Sequence, residues 1–162
     1  MKKVGIVMGS DSDLPVIQKA TGILKELDIP FEVHVFSAHR TPEQARQFSL
    51  DARENGFGVL IAAAGMAAHL AGAIAANTTL PVIGIPCKGP FFDGMDALLS
   101  TVQMPSGIPV AAVGVNNGAN AALLAAEILS VSDPEVAERL RLKRERDTAA
   151  VLEKDAGIAA RL

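Results

Sequence analysis

Five short apolar runs, each followed by a loop and then by residues at helical spacing, constrain this chain more than any other feature of it. Residues 3–8 carry Val4, Ile6 and Val7 and stop at Gly9-Ser10-Asp11-Ser12-Asp13; after Leu14-Pro15 come Val16, Ile17, Ala20, Ile23, Leu24 and Leu27. That pattern predicts a strand, a polar loop and a helix. The unit then recurs. Residues 31–36 predict a second strand, and 42–55 a helix ended by Gly56, the residue type best suited to a left-handed stop. Residues 57–63 predict a third strand, 66–76 a helix of small residues, and 81–85 a fourth strand opening into a long loop at 86–93. The pattern is weakly helical over 93–103, β-prone over 109–115 and helical over 120–129. Strands alternating with helices need crossover connections, and these produce a parallel sheet covered on both faces. The expected class is α/β: a three-layer, doubly wound parallel sheet of flavodoxin-like character, with a C-terminal outlying helix.

Beyond Ser130 the composition changes. Ser132-Asp133-Pro134-Glu135 spells a helix start, and residues 135–147 are dense in both signs of charge, with Val136, Leu140 and later Val151 and Leu152 as a thin apolar stripe. The expected organisation is residues 1–131 as a single α/β nucleotide-binding catalytic domain and 132–162 as a C-terminal helical arm of the same domain. The arm reads either as a solvated tail helix or as a segment packing on a neighbouring subunit. The predicted helix at 66–76 carries no charge and is apolar on every face, which implies cover on every face and hence a homo-oligomer.

A length of 162 residues suits one domain, and 49% hydrophobic against 20% charged residues excludes a disordered chain. With a net charge of -3, no Trp or Tyr and six Phe, the chain offers neither a basic footprint nor stacking platforms, so no nucleic acid polymer is expected as a partner. Cys87 is the lone cysteine, so no intrachain disulfide can form, and no Cys/His cluster has zinc-ligand spacing. These features fit a reducing cytoplasm and predict no metal. Met1-Lys2-Lys3 imitates the start of an export signal, but the apolar run behind it is too short, and no export signal is expected. Residues 56–87 lack Asp, Glu, Lys and Arg, yet His69, Asn77 and Pro81 interrupt them, and no membrane span is expected.

The chemistry-bearing residues lie where predicted strands end. In an open parallel sheet the loops leaving the carboxyl ends of the strands line the ligand crevice. His39 and Arg40 fall between the second strand and a helix started by Thr41 as N-cap, Pro42 at the first position and Gln44 as the capping-box partner. His39 is the best candidate general acid/base of the chain. The pair reads equally well as a hydrogen-bonded loop histidine beside a surface arginine. Gly9 to Asp13 opens the first helix and suits a phosphate, with hydroxyls from Ser10 and Ser12 and charge from Arg40. Asp13 would repel phosphate and is better placed on ribose hydroxyls or as the N-cap; a simple capped turn is the plainer alternative. The loop is neither a Walker A motif nor a dinucleotide fingerprint. His34, between Val33 and Val35, reads as a packing residue, and His69 either approaches the crevice or is a satisfied structural histidine. Without an activated serine, a catalytic carboxylate pair or a metal set, reactions that avoid metals and covalent intermediates are favoured.

Four blocks carry a resemblance: Gly9-Ser10-Asp11-Ser12-Asp13, Ser37-Ala38-His39-Arg40-Thr41-Pro42, Ala67-Ala68-His69-Leu70, and the run from Ser100 through Val102-Gln103-Met104-Pro105 to Val110. In order and spacing the chain resembles the 5-(carboxyamino)imidazole ribonucleotide mutase family, class I, of purine synthesis. The resemblance implies a cytoplasmic homo-octamer with no metal or organic cofactor, moving a carboxylate from the exocyclic nitrogen of an aminoimidazole ribonucleotide to ring carbon C4. It implies substrate contacts at Ser10, Asp13 and Arg40 and a catalytic role for His39; Ser12, Ser37, Gly65 and His69 complete the expected substrate-binding set. The third block often has two glycines where this chain has Gly65-Met66, and the wording from Cys87 to Asp93 is not the commonest. A class II relative, carboxylating aminoimidazole ribonucleotide with CO2 directly, is the near alternative, and the Val102 to Pro105 wording favours class I. A non-catalytic flavin or mononucleotide module is disfavoured by the lack of Trp and Tyr. A receiver-like regulatory domain would need a phosphoacceptor Asp where Ala63-Ala64-Gly65 stands.

Overall fold

β1 (Lys3–Met8) is paired on both edges and covered on both faces, which accounts for an almost unbroken apolar sequence in place of a polar-apolar alternation. The structure, a computed structural model, describes residues 1–161, so the last residue of the expected arm, Leu162, lies outside the described residues. β1 is followed by α1 (Leu14–Glu26), β2 (Phe31–Val35), α2 (Pro42–Asp51), β3 (Phe57–Gly65), α3 (Leu70–Ala75) and β4 (Val82–Cys87). Then come α4 (Met95–Val102), β5 (Ala111–Ala112), α5 (Gly118–Ser130) and α6 (Pro134–Ala156). All strand pairs are parallel, in the order β2-β1-β3-β4-β5. This is the expected flavodoxin-like order, with a reversal of winding between β1 and β3.

Alternate residues of the central strands feed two separate cores. Val4, Ile6 and Met8 of β1 and Val59, Ile61 and Ala63 of β3 pack with α1 and α5. Val7, Leu60 and Ala62 pack on the opposite face with α2 and α3. Two close approaches depend on glycine. A Cβ at Gly84 would lie 2.3 Å from Thr101 Cγ2, so β4 brings α4 against the sheet only because that side chain is missing. A Cβ at Gly118 would lie 2.1 Å from the Val16 carbonyl oxygen, so the first turn of α5 rests on the backbone of α1. Asp133 caps α6 by accepting from the N–H groups of Glu135 (3.2 Å) and Val136 (3.3 Å), and Val136 and Leu140 then enter the α1/α5 core. Beyond them α6 is tied to the body by Arg144 to Glu127 and by Arg146 to Glu26, and every residue from Arg144 to Ala156 is exposed.

Several local expectations need correction. The helix expected at 66–76 is only Leu70–Ala75, because Met66 adopts a left-handed backbone (φ 52°) and the next residues form tight turns, with Ala68 N–H on Met66 O and His69 N–H on Ala67 O, both at 2.8 Å. His69 therefore precedes α3 as its N-cap residue. Nor is α3 in need of cover from another copy on every face, since Leu70, Ala71, Ile74 and Ala75 are already buried within the chain. α2 ends at Asp51, short of Asn55, although Gly56 does take the expected left-handed φ of 84°. Thr41 occupies the N-cap position of α2 without capping it: its hydroxyl accepts instead from the Ser37 N–H at 2.8 Å. The fifth strand shrinks from 109–115 to Ala111–Ala112, an edge pair beside β4, since Pro109 has no N–H to give. Among the described residues no helix is long and apolar enough to cross a membrane.

Candidate active site

The carboxyl ends of β1, β2, β3 and β4 open into one cleft of about 640 Å³, at the edge where the winding reverses. Residues from three of the four blocks named above reach it; the run from Ser100 to Val110 does not.

The floor nearest β1 is the turn from Gly9 to Asp13. Gly9 N–H donates to Ala63 O at 3.0 Å, which ties the turn to β3. Ser10 Oγ accepts from the Ser12 N–H at 3.3 Å and lies 2.9 Å from Ser12 Oγ, so the two hydroxyls close a compact loop around a single 3-10 turn before α1. Asp13 does not cap α1 with its side chain. Its half-buried carboxyl is raised above the ordinary 3.8 by burial, against the opposing pull of hydrogen bonds from the Cys87 thiol and the Ser10 backbone. The thiol of Cys87, buried beneath it, is pushed up to about 12 by burial and by the nearby Asp13 carboxylate. Cys87 is thus inert and serves as packing under the acid.

The second wall is the loop after β2. Ser37 Oγ accepts from the N–H groups of His39 (3.3 Å) and Arg40 (3.2 Å), while Thr41 N–H donates to Ser37 O at 2.9 Å. Ser37 and Thr41 together therefore make a closed turn that thrusts His39 and Arg40 toward the cleft. A terminal nitrogen of Arg40 donates to Gly9 O at 2.7 Å, bringing the positive charge against the β1 turn. His39 Nε2 lies 2.9 Å from His69 Nδ1, with the two rings edge-on at 89°. One of those nitrogens carries the shared proton, so the two imidazoles hold a fixed relation across the cleft. Ala64, Gly65, Met66 and Ala67 line the side next to His69.

Every residue expected at the site lines this cleft: Ser10, Ser12, Asp13, Ser37, His39, Arg40, Gly65 and His69. His34 does not; it stacks on Phe36 (ring centroids 5.1 Å, interplanar 6°) and lies against Phe48, the packing role its strand position suggested. Sequence reasoning missed Lys88, which enters the cleft with Gly89 and Pro90. The signal was present, because Lys88 immediately follows β4 just as His39 and Arg40 follow β2. Among the described residues no group of three or more His, Cys, Asp or Glu is placed to hold a metal ion.

A doubly wound parallel sheet with an anion-suited turn, an arginine and an imidazole pair at its switch point defines a nucleotide-handling α/β protein equipped for proton transfer. Within that class the chain belongs to the AIR carboxylase family, whose model matches residues 3–150. It is 54% identical over 145 residues to the N5-carboxyaminoimidazole ribonucleotide mutase of Pyrococcus abyssi, covering 90% of this chain and 83% of that one. It is 49% identical over 154 residues to the phosphoribosylaminoimidazole carboxylase of Saccharomyces cerevisiae, covering 93% of this chain but 27% of that much longer protein. The crystal structure of Treponema denticola PurE superposes with a TM-score of 0.86 at 32% identity, covering 94% of this chain and 96% of that one.

Proposed function

We propose that this chain is a mutase of purine synthesis, converting 5-(carboxyamino)imidazole ribonucleotide to 4-carboxy-5-aminoimidazole ribonucleotide by decarboxylation and recarboxylation. The observation that carries the chemistry is His39, held at hydrogen-bond distance from His69 over the cleft into which the Gly9 to Asp13 turn and Arg40 also open. The mutase names of close relatives supply the substrate.

In this reading the 5′-phosphate rests on the turn of Ser10 and Ser12 with Arg40 as counter-charge, and Asp13 takes the ribose hydroxyls. Ser37 shapes the loop, and Gly65 lines the cleft next to the ring, its missing side chain allowing close approach to the Cys87 carbonyl. Protonated His39 gives its proton to the carbamate nitrogen as the N–C bond breaks, which releases CO2 and leaves the free amine. C4 of the aminoimidazole then attacks that CO2, forming the new C–C bond, and neutral His39 removes the C4 proton. The imidazole ends protonated, as it began, and no proton is consumed. His69 keeps the His39 ring oriented between the two transfers. The alanine-rich wall at Ala64 and Ala67 gives CO2 a small apolar space in which to wait.

No metal or organic cofactor enters this scheme. The same reading places the protein in the cytoplasm as a homo-octamer, with residues 1–131 as the catalytic domain and 132–162 as its helical arm. The test is substrate labelled in its carboxyl group and incubated with excess unlabelled bicarbonate. Label retained in the product is expected. Diluted label would make the chain a direct carboxylase, the activity for which its fungal relatives are named, and no conversion of either kind would leave a nucleotide-binding module.

A further inference from the structure

Lys88 is the second cation of the cleft, and the proton transfers above do not use it. It is the first residue beyond β4, and its backbone N–H donates to Asn116 Oδ1 at 2.9 Å, so the root of the side chain is fixed. Its ammonium lies 2.6 Å from Asp93 Oδ1, in a pair whose side chains are 55% and 87% exposed. Exposed pairs of this kind add little to stability, so an anion presented from the cleft displaces Asp93 easily. Asp93 also sits in an unusual run: Phe92, Asp93 and Gly94 all have left-handed backbone, with φ of 56°, 51° and 89°. Of the three only Phe92 is a residue type that resists that conformation, so the backbone strain of the segment presenting the Asp93 carboxylate is centred on its neighbour Phe92.

The place of Lys88 in the sheet decides which anion it meets. Arg40 follows β2 and Lys88 follows β4, with β1 and β3 between them, so the two cations leave the sheet about 14 Å apart, three strand spacings. The loop beyond Lys88 packs on the β3 side, where a Cβ at Gly89 would lie 3.3 Å from Met66 Cγ. A ribonucleotide with its phosphate at Arg40 therefore turns its imidazole, and the carboxylate on it, toward Lys88. We propose that Lys88 binds the carboxylate of the imidazole ribonucleotide, and that Asp93 stands in for that carboxylate while the cleft is empty. This contact rests on the mutase reading of the cleft. Lys88 then holds the carboxylate at both ends of the reaction, as carbamate and as ring carboxylate, and keeps the migrating group near the ring.

The test compares two ligands that share phosphate and ribose: 4-carboxy-5-aminoimidazole ribonucleotide and aminoimidazole ribonucleotide, which lacks the carboxylate. Dissociation constants are measured for the full chain and for Lys88→Met, Lys88→Arg and Asp93→Asn. Lys88→Met is expected to weaken the carboxylated ligand by at least about tenfold, as loss of a charge-assisted hydrogen bond does, and to leave the other within about twofold. Lys88→Arg should recover most of the loss. Asp93→Asn, which removes the competing carboxylate, should tighten the carboxylated ligand alone, and this sign decides the matter if Lys88→Met does not fold. Equal losses for both ligands, or none, overturn the contact while leaving the mutase reading intact. Wild-type chain that binds neither ligand overturns the mutase reading and the contact together.

Discussion

His39 is positioned by its own loop more than by packing around it, because Ser37 and Thr41 close the turn from which it projects and His69 fixes the ring. Replacing it by Asn should keep the fold and nucleotide affinity, since an amide can still hydrogen-bond, while turnover falls by about 10²- to 10⁴-fold for want of a transferable proton. Turnover near wild type, measured beside an unchanged dissociation constant, would remove His39 from the chemistry. Asp13 makes a prediction of the opposite kind, on stability. Its carboxyl is raised by burial above 3.8, so its stabilising contribution is full below the unfolded value and is lost as pH rises through the folded one. At neutral pH the ionised, half-buried carboxylate works against the empty fold. Asp13→Asn should therefore raise the melting temperature of the ligand-free chain at pH 7, with the gain vanishing as pH falls into the ordinary carboxylate range, while nucleotide affinity drops. A lower melting temperature at pH 7 would contradict this. Single residues of this site were legible in the sequence where chemistry and strand end coincide, as at His39 and Arg40. Lys88 was overlooked although it too follows a strand end, because the stretch from Cys87 to Asp93 reads as a loop covering the pocket and only the fold shows its lysine entering the cleft. Nor can a sequence show that the Thr41 hydroxyl turns back to Ser37 instead of forward into α2.

Elements were legible in proportion to their burial. β1, β3 and β4 announce themselves as apolar runs because helices cover both of their faces, whereas β5 lies at the edge, and two paired residues of it survive from a longer β-prone stretch. α3 was overestimated for a related reason: alanines and glycines satisfy a helical pattern without requiring it, and the left-handed Met66 prevents an earlier start. The contacts between elements were invisible in the sequence and are sharply testable. Gly84→Ala should cost about 1 to 3 kcal/mol by driving a methyl into Thr101, and Thr101→Ser, which removes the offending Cγ2, should restore part of the loss. Gly118→Ala meets a backbone oxygen of α1, which no side-chain change relieves, so its cost should reach about 3 kcal/mol or more. Denaturant unfolding of the three variants checks the ordering. A Gly118→Ala chain as stable as wild type would mean that α1 and α5 can separate freely.

At the scale of the whole molecule the surface that lacks a partner is not the one that sequence patterning singled out. Ala71 of α3 lies against Gly84 within the chain, while Met95, Leu99 and Val102 of α4, at i, i+4 and i+7, stay 49–55% exposed beside the still more exposed Phe91 and Phe92. If the chain assembles as proposed, Leu99→Glu should shift sedimentation toward smaller species and leave the secondary structure intact. Ala71→Glu should instead unfold the chain, because it places a carboxylate against β4. Wild type and Leu99→Glu sedimenting alike would exclude that face. α6 supplies a different gauge. Its first turns are pinned by Val136 and Leu140, but from Arg144 onward it depends on its own backbone bonds and on a few surface ion pairs. A helical segment that short holds itself together only marginally in water. Its amides in a lone subunit should therefore trade their hydrogens for deuterium far sooner than those of α5, and salt should hasten the trade. Slow exchange along residues 147–156 would be the mark of something laid over them, and would register the neighbour without its having to be seen.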